Sequence, residues 1–253
     1  LLRLPDAVKR RYDVSSLRWI THGAAPCAPA VKRQMIEWWG PVVTEYYGAT
    51  ETGVVVWHDS ADALRKLGTV GRVVEGALLR IVDENGRDVK QGEIGEIYVR
   101  EPHVSEFTYN NDNAKRRKVA LGELVTVGDV GYQDADGYVF LCDRKRDMII
   151  SGGVNIYPAE IESVLIQMPG VRDCAVFGIP DEEFGEQICA YVEPLPGAAL
   201  DAGQVRAYLA EHVARYKVPK LVEFSTALPR EDSGKIFKRK LRAPYWEKAG
   251  RSI

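Results

Sequence analysis

Five charged residues run without a break from Asp143 to Asp147 (DRKRD), and a short apolar run, Met148 to Ile150, follows directly. A buried strand does not start with five charges, so the chain must come to the surface here. Two glycines, Gly152 and Gly153, then signal a turn, and Pro158 suits the first position of a helix. We read residues 143–147 as a joint between two bodies, 1–142 and 148–253, each long enough to bury a core of its own.

Ahead of the joint, residues 14–57 have the pattern of a βαβ unit. LRWITHG reads as a strand, GAAPCAP as a small-residue loop, and PAVKRQMIEWW as a helix opened by Pro29 with Val31, Met35 and Trp38/Trp39 on its apolar side. Gly40 and Pro41 end that helix, and VVTEYYG is the next strand. In such a unit ligands bind at loops leaving the carboxyl ends of the strands, here GAAP and GATETG. From 68 to 142 the pattern becomes short β runs with the hairpin signals DENG and DADG, predicting a small antiparallel subdomain. Behind the joint the order is βαββαβ-like. A helix follows Pro158, with Ile161, Val164, Leu165 and Met168 on one face, and a second runs from Asp201 to about Arg215. The expected fold class is therefore α/β plus α+β: the end of a large α/β domain with an antiparallel β subdomain, then a small α+β domain.

Several function classes drop out. A net charge of −2 gives no reason to expect nucleic-acid binding, and no run of 18 apolar residues predicts a transmembrane segment. Cys27, Cys142, Cys174 and Cys189 are far apart, and the four histidines form no ligand cluster. Four buried, reduced thiols in a cytoplasmic protein are expected rather than a zinc site. The opening LLRLPDAVKRRYD reads as part of a helix without the apolar block of a signal peptide, and we read the chain as a piece of something longer. The run KRRK at 115–118 reads as a solvated loop.

Five motifs in order, GAAP, YYGATETG (Tyr46 to Gly53), Gly128–Asp129, DRKRDMIISGG and PREDSGKIFKRKLR, together resemble the adenylate-forming acyl-CoA synthetase family over essentially the whole chain. The resemblance implies a two-step reaction. A carboxylic acid and ATP give an acyl-adenylate and pyrophosphate, and the thiol of coenzyme A then displaces AMP. It makes 1–142 the later part of the nucleotide-binding domain and 148–253 a small mobile domain. Small-molecule acid, ATP and CoA are the implied partners, with Mg²⁺ as cofactor; homo-oligomerisation is left open.

The residues that match can also be read physically. A planar purine needs an aromatic face and close backbone approach. Tyr47 beside Gly48 supplies both, with Gly23, Ala24 and Ala25 as the opposite wall. Thr50 offers a hydroxyl to phosphate, Glu51 a carboxylate to Mg²⁺, and Tyr46 a lining for the acyl tunnel. Asp129 is a bidentate acceptor for ribose hydroxyls, joined by Arg144 on the strength of the resemblance. The family's Thr before Gly–Asp is replaced here by Val127, which removes one contact. Lys235 matches the adenylation lysine, a single mobile cation in a polar loop. Arg146 matches the pivot, with Ile149 and Ile150 tethering the strand behind it. Ser151, Gly152 and Gly153 match the turn along which the CoA pantetheine passes. Related ligases often carry Lys where Ile150 stands. Some of Lys238, Arg239, Lys240 and Arg242 are expected to hold CoA phosphates.

The family's glycine-rich phosphate loop, S/T-G-T-T-G-x-P-K, is not found in the sequence, so the chain alone is not expected to make adenylate. The EYYGATE and SGGVNIYPAEIE variants resemble those of fatty-acyl or other bulky hydrophobic acid ligases. An aryl- or amino-acid module serving a carrier protein, and a non-catalytic AMP- or CoA-binding remnant, are the alternatives.

Overall fold

Alternate residues of the segment Val43–Ala49 turn inward, with Val43, Glu45 and Tyr47 buried, as the two-residue period of a strand requires. In the computed structural model, which describes residues 1–110, 112–232 and 234–250, this segment is the second strand of a long sheet. The chain divides into two compact units, Leu1–Cys142 and Asp143–Ile253.

The first unit begins with one helical turn, α1 (Asp6–Lys9), followed by β1 (Ile20–His22), α2 (Pro29–Trp39), β2 (Val43–Ala49), β3 (Gly53–His58), α3 (Ser60–Arg65) and β4 (Gly71–Val73). Next come β5 (Leu78–Val82), β6 (Gly95–Arg100), α4 (Asn113–Lys118), β7 (Ala120–Leu121), β8 (Leu124–Val125), β9 (Asp129–Gln133) and β10 (Tyr138–Arg144). Strands β1 and β2 pair in parallel across α2, completing the βαβ unit, although β1 is shorter than LRWITHG. The strands after residue 68 pair antiparallel, as expected, and are hydrogen-bonded into the same sheet as the βαβ unit. One hydrogen-bonded sheet runs β1-β2-β3-β4-β10-β9-β6-β8-β7, with β5 on β6. The hairpin β2–β3 turns the chain back toward β4, so both halves share a core of Val55, Val56, Ile97, Val99 and Val139.

Helix α2 buries a different stripe from the one its apolar residues suggest. Lys32 and Ile36, four apart and so on one face, are buried, whereas Val31 is exposed.

The second unit contains β11 (Ile149–Ser151), β12 (Val154–Ile156), α5 (Pro158–Leu165), β13 (Val171–Asp181), β14 (Gly185–Pro194), α6 (Ala202–His212), β15 (Leu221–Phe224) and α7 (Lys238–Lys248). Its core gathers Ile149, Ile161, Leu165, Val176, Ala190, Val205 and Leu209. Helix α6 is fixed by a reciprocal cap, in which the Asp201 carboxylate accepts from Gln204 N and the Gln204 side chain accepts from Asp201 N. It stops at His212, short of Arg215, and a 3₁₀ turn follows at Arg215–Lys217.

Of the two isoleucines, Ile149 is fully buried and Ile150 is 48% exposed, so only the first tethers the strand. Cys174 and Cys189 are buried, but Cys27 and Cys142 are only partly covered; none of the four is in a disulfide. Among the described residues no helix is long and apolar enough to cross a membrane.

Candidate functional site

Because β1 and β2 run parallel, the loop after His22 and the turn after Ala49 leave the sheet at the same edge. A side chain at Gly23 would strike the ring of Tyr46, so a bare backbone lies directly against that ring. Ala24 beside it adopts the left-handed conformation (φ 66°), and it is the one non-glycine residue to do so among those described. That conformation costs an L-residue about 1–2 kcal/mol and persists only where the surroundings impose it.

The ring against the 23–25 loop thus belongs to Tyr46, not Tyr47. Tyr47 faces the opposite side of β2, in the core, and its hydroxyl donates to Asp129 Oδ2 at 2.8 Å. This corrects the pairing of Tyr47 with that loop as two walls of one cleft. Asp129 is buried and opens β9. Gly128 turns the chain into it with φ +83°, and Gly128 N donates to Thr126 Oγ1 at 2.9 Å. A threonine therefore does support the Gly–Asp turn, one position upstream of Val127.

The 49–53 turn is closed on itself. Thr52 Oγ1 accepts from Ala49 N at 2.9 Å and donates to Gly53 O at 3.2 Å. A side chain at Gly48 would collide with the Gly53 carbonyl, and the β2–β3 register shifts between Tyr47 and Gly48. The bulge thereby carries Thr50 to the exposed tip, with Glu51 half-buried beside it. Glu51 Oε1 accepts from the hydroxyl of Tyr109 at 3.2 Å.

Behind these loops lies a buried polar cluster that the motifs did not announce. Lys32 on α2 is ion-paired to Glu45 on β2, their side chains 7% and 6% exposed. Lys32 Nζ also stands 3.3 Å from His58 Nε2, and His22 Nδ1 lies 3.8 Å from Glu45 Oε2. His58 Nδ1 is 2.8 Å from the carbonyl of Asp59, which can only accept, so that nitrogen carries the proton. Burial by itself would raise the Glu45 carboxyl. The close approach of His22 and His58 and the charge of Lys32 outweigh it and hold the group well below the usual carboxylate range. Burial pushes the nearby Cys27 thiol up, away from thiolate chemistry.

In the second unit, Ser151 pairs with Val154 across the Gly152–Gly153 turn and with Gly185 on β14. Both glycines have positive φ, and a Cβ on Gly152 would sit 3.1 Å from the ring of Phe184. Phe184 O accepts from Gly152 N at 2.8 Å, and Lys220 Nζ stands 4.6 Å over the ring. Phe184 and Lys220 were not singled out from the sequence; the aromatic preceding Gly185 was the available signal.

Lys235 is exposed on a closed hairpin rather than a free loop. Arg230 and Ile236 form an antiparallel bridge, and Glu231 N donates to Lys235 O at 2.8 Å. Arg230 also donates to Gly234 O and pairs with Asp173 on β13.

The basic segment beyond is helix α7, with Leu241 and Tyr245 packed on Phe177, Ile179 and Cys189. Lys238 bonds Glu162 at 2.8 Å. Arg242 Nη1 donates to the carbonyl of Arg146 at 3.3 Å and lies 3.8 Å from Asp147. Lys238 and Arg242 are thus engaged within the unit and do not form an open phosphate patch. The side chain of Arg146 itself is 74% exposed. Arg144 ends β10, its backbone N donating to Asp143 Oδ1 at 2.7 Å.

Among the described residues no group of three or more His, Cys, Asp or Glu side chains could hold a metal ion.

The geometry agrees with what comparison with known proteins finds. Residues 1–107 match the AMP-binding enzyme family and residues 160–235 match the AMP-binding enzyme C-terminal domain. Indoleacetate–CoA ligase of Aromatoleum aromaticum is 44% identical over 91% of this chain and 45% of its own length. Medium/long-chain-fatty-acid–CoA ligase FadD8 of Mycobacterium tuberculosis is 36% identical over 100% of this chain and 45% of its own. The solved structure of o-succinylbenzoate CoA synthetase (MenE) from Bacillus subtilis, in complex with ATP and magnesium ion, superposes with a TM-score of 0.81 at 33% identity, over 88% of this chain and 46% of that one. The chain spans a little under half the length of these relatives. With both family matches in chain order, and the bulged 48–53 turn beside the glycine loop at one sheet edge, the chain belongs to the adenylate-forming, AMP-binding enzyme family.

Proposed function

We propose that the intact protein activates a hydrophobic carboxylic acid with ATP and hands the acyl group to coenzyme A. In the first step a carboxylate oxygen attacks the α-phosphorus of ATP, and pyrophosphate leaves with the broken phosphoanhydride bond. In the second the CoA sulfur, its proton lost, attacks the acyl carbon, and AMP leaves.

The observation that carries this reading is the edge shared by β1 and β2, where the Tyr46 ring lies on the bare backbone of Gly23. A flat purine needs an aromatic side chain and a small-residue backbone at one place, which Tyr46 and the 23–25 loop bring together. Asp129, held by Tyr47, is assigned to the ribose hydroxyls, and Arg144 to the nucleotide with it. Thr50 at the exposed tip is assigned to phosphate. Glu51 suits Mg²⁺, a hard ion held by one or two carboxylates with phosphate and water completing its shell; bound there, the ion would neutralise phosphate charge.

Lys235 on its hairpin supplies a cation for the charge that builds as pyrophosphate departs. The Ser151–Gly152–Gly153 turn, with Phe184 and Lys220 beside it, is assigned to CoA, and Arg146 to the pivot. The substrate class rests on the relatives, two of which are named for indoleacetate and for medium- and long-chain fatty acids.

The test is nucleotide analysis of the intact protein with ATP, Mg²⁺, CoA and a series of aliphatic and aryl carboxylates. AMP release that depends on a hydrophobic acid, with the matching thioester seen by mass, is expected. Release of ADP instead, or AMP release indifferent to the acid, would overturn the reading.

A further inference from the structure

The segment 101–110 lies against the 49–53 turn. Val104 occupies the space a side chain on Gly53 would need, and the Tyr109 hydroxyl donates to Glu51 Oε1 at 3.2 Å. Tyr109 is itself held on two sides. Its ring meets Phe107 edge-on with centroids 5.3 Å apart, and Lys115 Nζ stands 4.1 Å over its centroid. Arg116 covers Phe107 at 4.6 Å and donates from Nε to the Phe107 carbonyl at 3.3 Å.

The basic run at 115–118 is therefore the body of α4, started by the Asp112 side chain accepting from Lys115 N at 2.8 Å. The run is a helix rather than the loop expected, still largely exposed, and two of its cations lie over aromatic rings.

We propose that Tyr109 is a positioning residue for Glu51: its hydroxyl fixes one carboxylate oxygen and leaves the other, Oε2, directed to the nucleotide-bound metal. The inference rests on the metal role proposed for Glu51 above. A lone carboxylate on a turn samples several rotamers, and a fixed donor to one oxygen removes that freedom before the metal arrives. The Phe107–Tyr109 pair and α4 supply rigidity to the donor, as supporting groups do around metal ligands.

The experiment is Mn²⁺ binding, read by electron paramagnetic resonance, to the intact protein saturated with a non-hydrolysable ATP analogue. Wild type, Tyr109→Phe, Glu51→Gln and the double variant are compared, with thermal melts of each. Tyr109→Phe is expected to weaken Mn²⁺ roughly 10-fold, the effect of one hydrogen bond to a charged group, with an unchanged melting temperature. In the Glu51→Gln background the same change is expected to add nothing, because the two act through one interaction. Wild-type Mn²⁺ affinity in Tyr109→Phe, with Glu51→Gln weakened, overturns the positioning role and leaves the metal assignment standing. An undiminished effect in the Glu51→Gln background overturns it as well. Wild-type affinity in Glu51→Gln overturns both.

Discussion

Lys235→Ala in the intact protein is expected to lower the rate of acyl-adenylate formation by about 10²–10³-fold, the usual loss for one preorganised electrostatic contact. The effect is expected on the rate rather than on ATP affinity, since in the proposed first step the cation serves charge that develops only as pyrophosphate departs. Lys235→Arg is expected to recover little. The hairpin fixes where the backbone stands, through the Arg230–Ile236 bridge and the Arg230 contacts to Gly234 and Asp173. A planar guanidinium of different reach does not bring its charge to the same point. Pyrophosphate exchange measures this step alone. Exchange within threefold of wild type in Lys235→Ala would remove the lysine from the chemistry.

Lys32→Met is expected to destabilise the protein by about 3–5 kcal/mol, the cost of leaving one member of a buried ion pair unpaired. The Lys32–Glu45 pair is nearly closed to solvent, so screening by water does not soften the loss. Lys32→Met combined with Glu45→Gln is expected to recover most of it, because the stranded charge is then gone. Urea midpoints at pH 7 provide the comparison.

The same pair sets a pH dependence. Glu45 titrates below its ordinary 4.5 in the folded protein, so its stabilisation is complete above that pH. It is lost as pH falls through the depressed folded value. The acid limb of stability should therefore be shallower in Glu45→Gln than in wild type. Equal acid limbs would mean that the Glu45 charge is not what the cluster stabilises.

The sheet-edge loops could be located from the sequence because their constraints are local. A Cβ at Gly48 would overlap the Gly53 carbonyl and Gly53 has a positive φ, so both positions favour glycine and the pattern is visible in plain letters. The choice between Tyr46 and Tyr47 could not be made in that way. A strand sends neighbours to opposite faces, and which face is the core depends on where Asp129, distant in sequence, comes to rest.

Lys32 was missed for a related reason. Its burial is meaningful only beside Glu45 and His58, and an apolar stripe drawn from the helix alone excludes it. Helix α7 was hidden by Pro244 in its interior and by its basic composition. Its apolar contact to the unit rests largely on Leu241 and Tyr245, four apart. The boundary at the charged run 143–147 could be read from its letters, although only Lys145 and Arg146 of the run are exposed. The fastening of Arg242 to Arg146 and Asp147 could not, since it comes from the far end of the unit.

In the proposed function one unit offers a lysine hairpin for the first chemical step and a glycine turn for the second, and the two should be separable by mutation. The measurement is single-turnover kinetics of both half-reactions, from ATP plus acid and from preformed acyl-adenylate plus CoA, in Lys235→Ala and Gly152→Val. Valine at Gly152 is forced into left-handed backbone against the Phe184 ring. The expected result is a crossover: Lys235→Ala loses adenylation and keeps thioester formation, and Gly152→Val does the reverse. Loss of the same half-reaction in both variants would contradict the division of labour on which the proposed function depends.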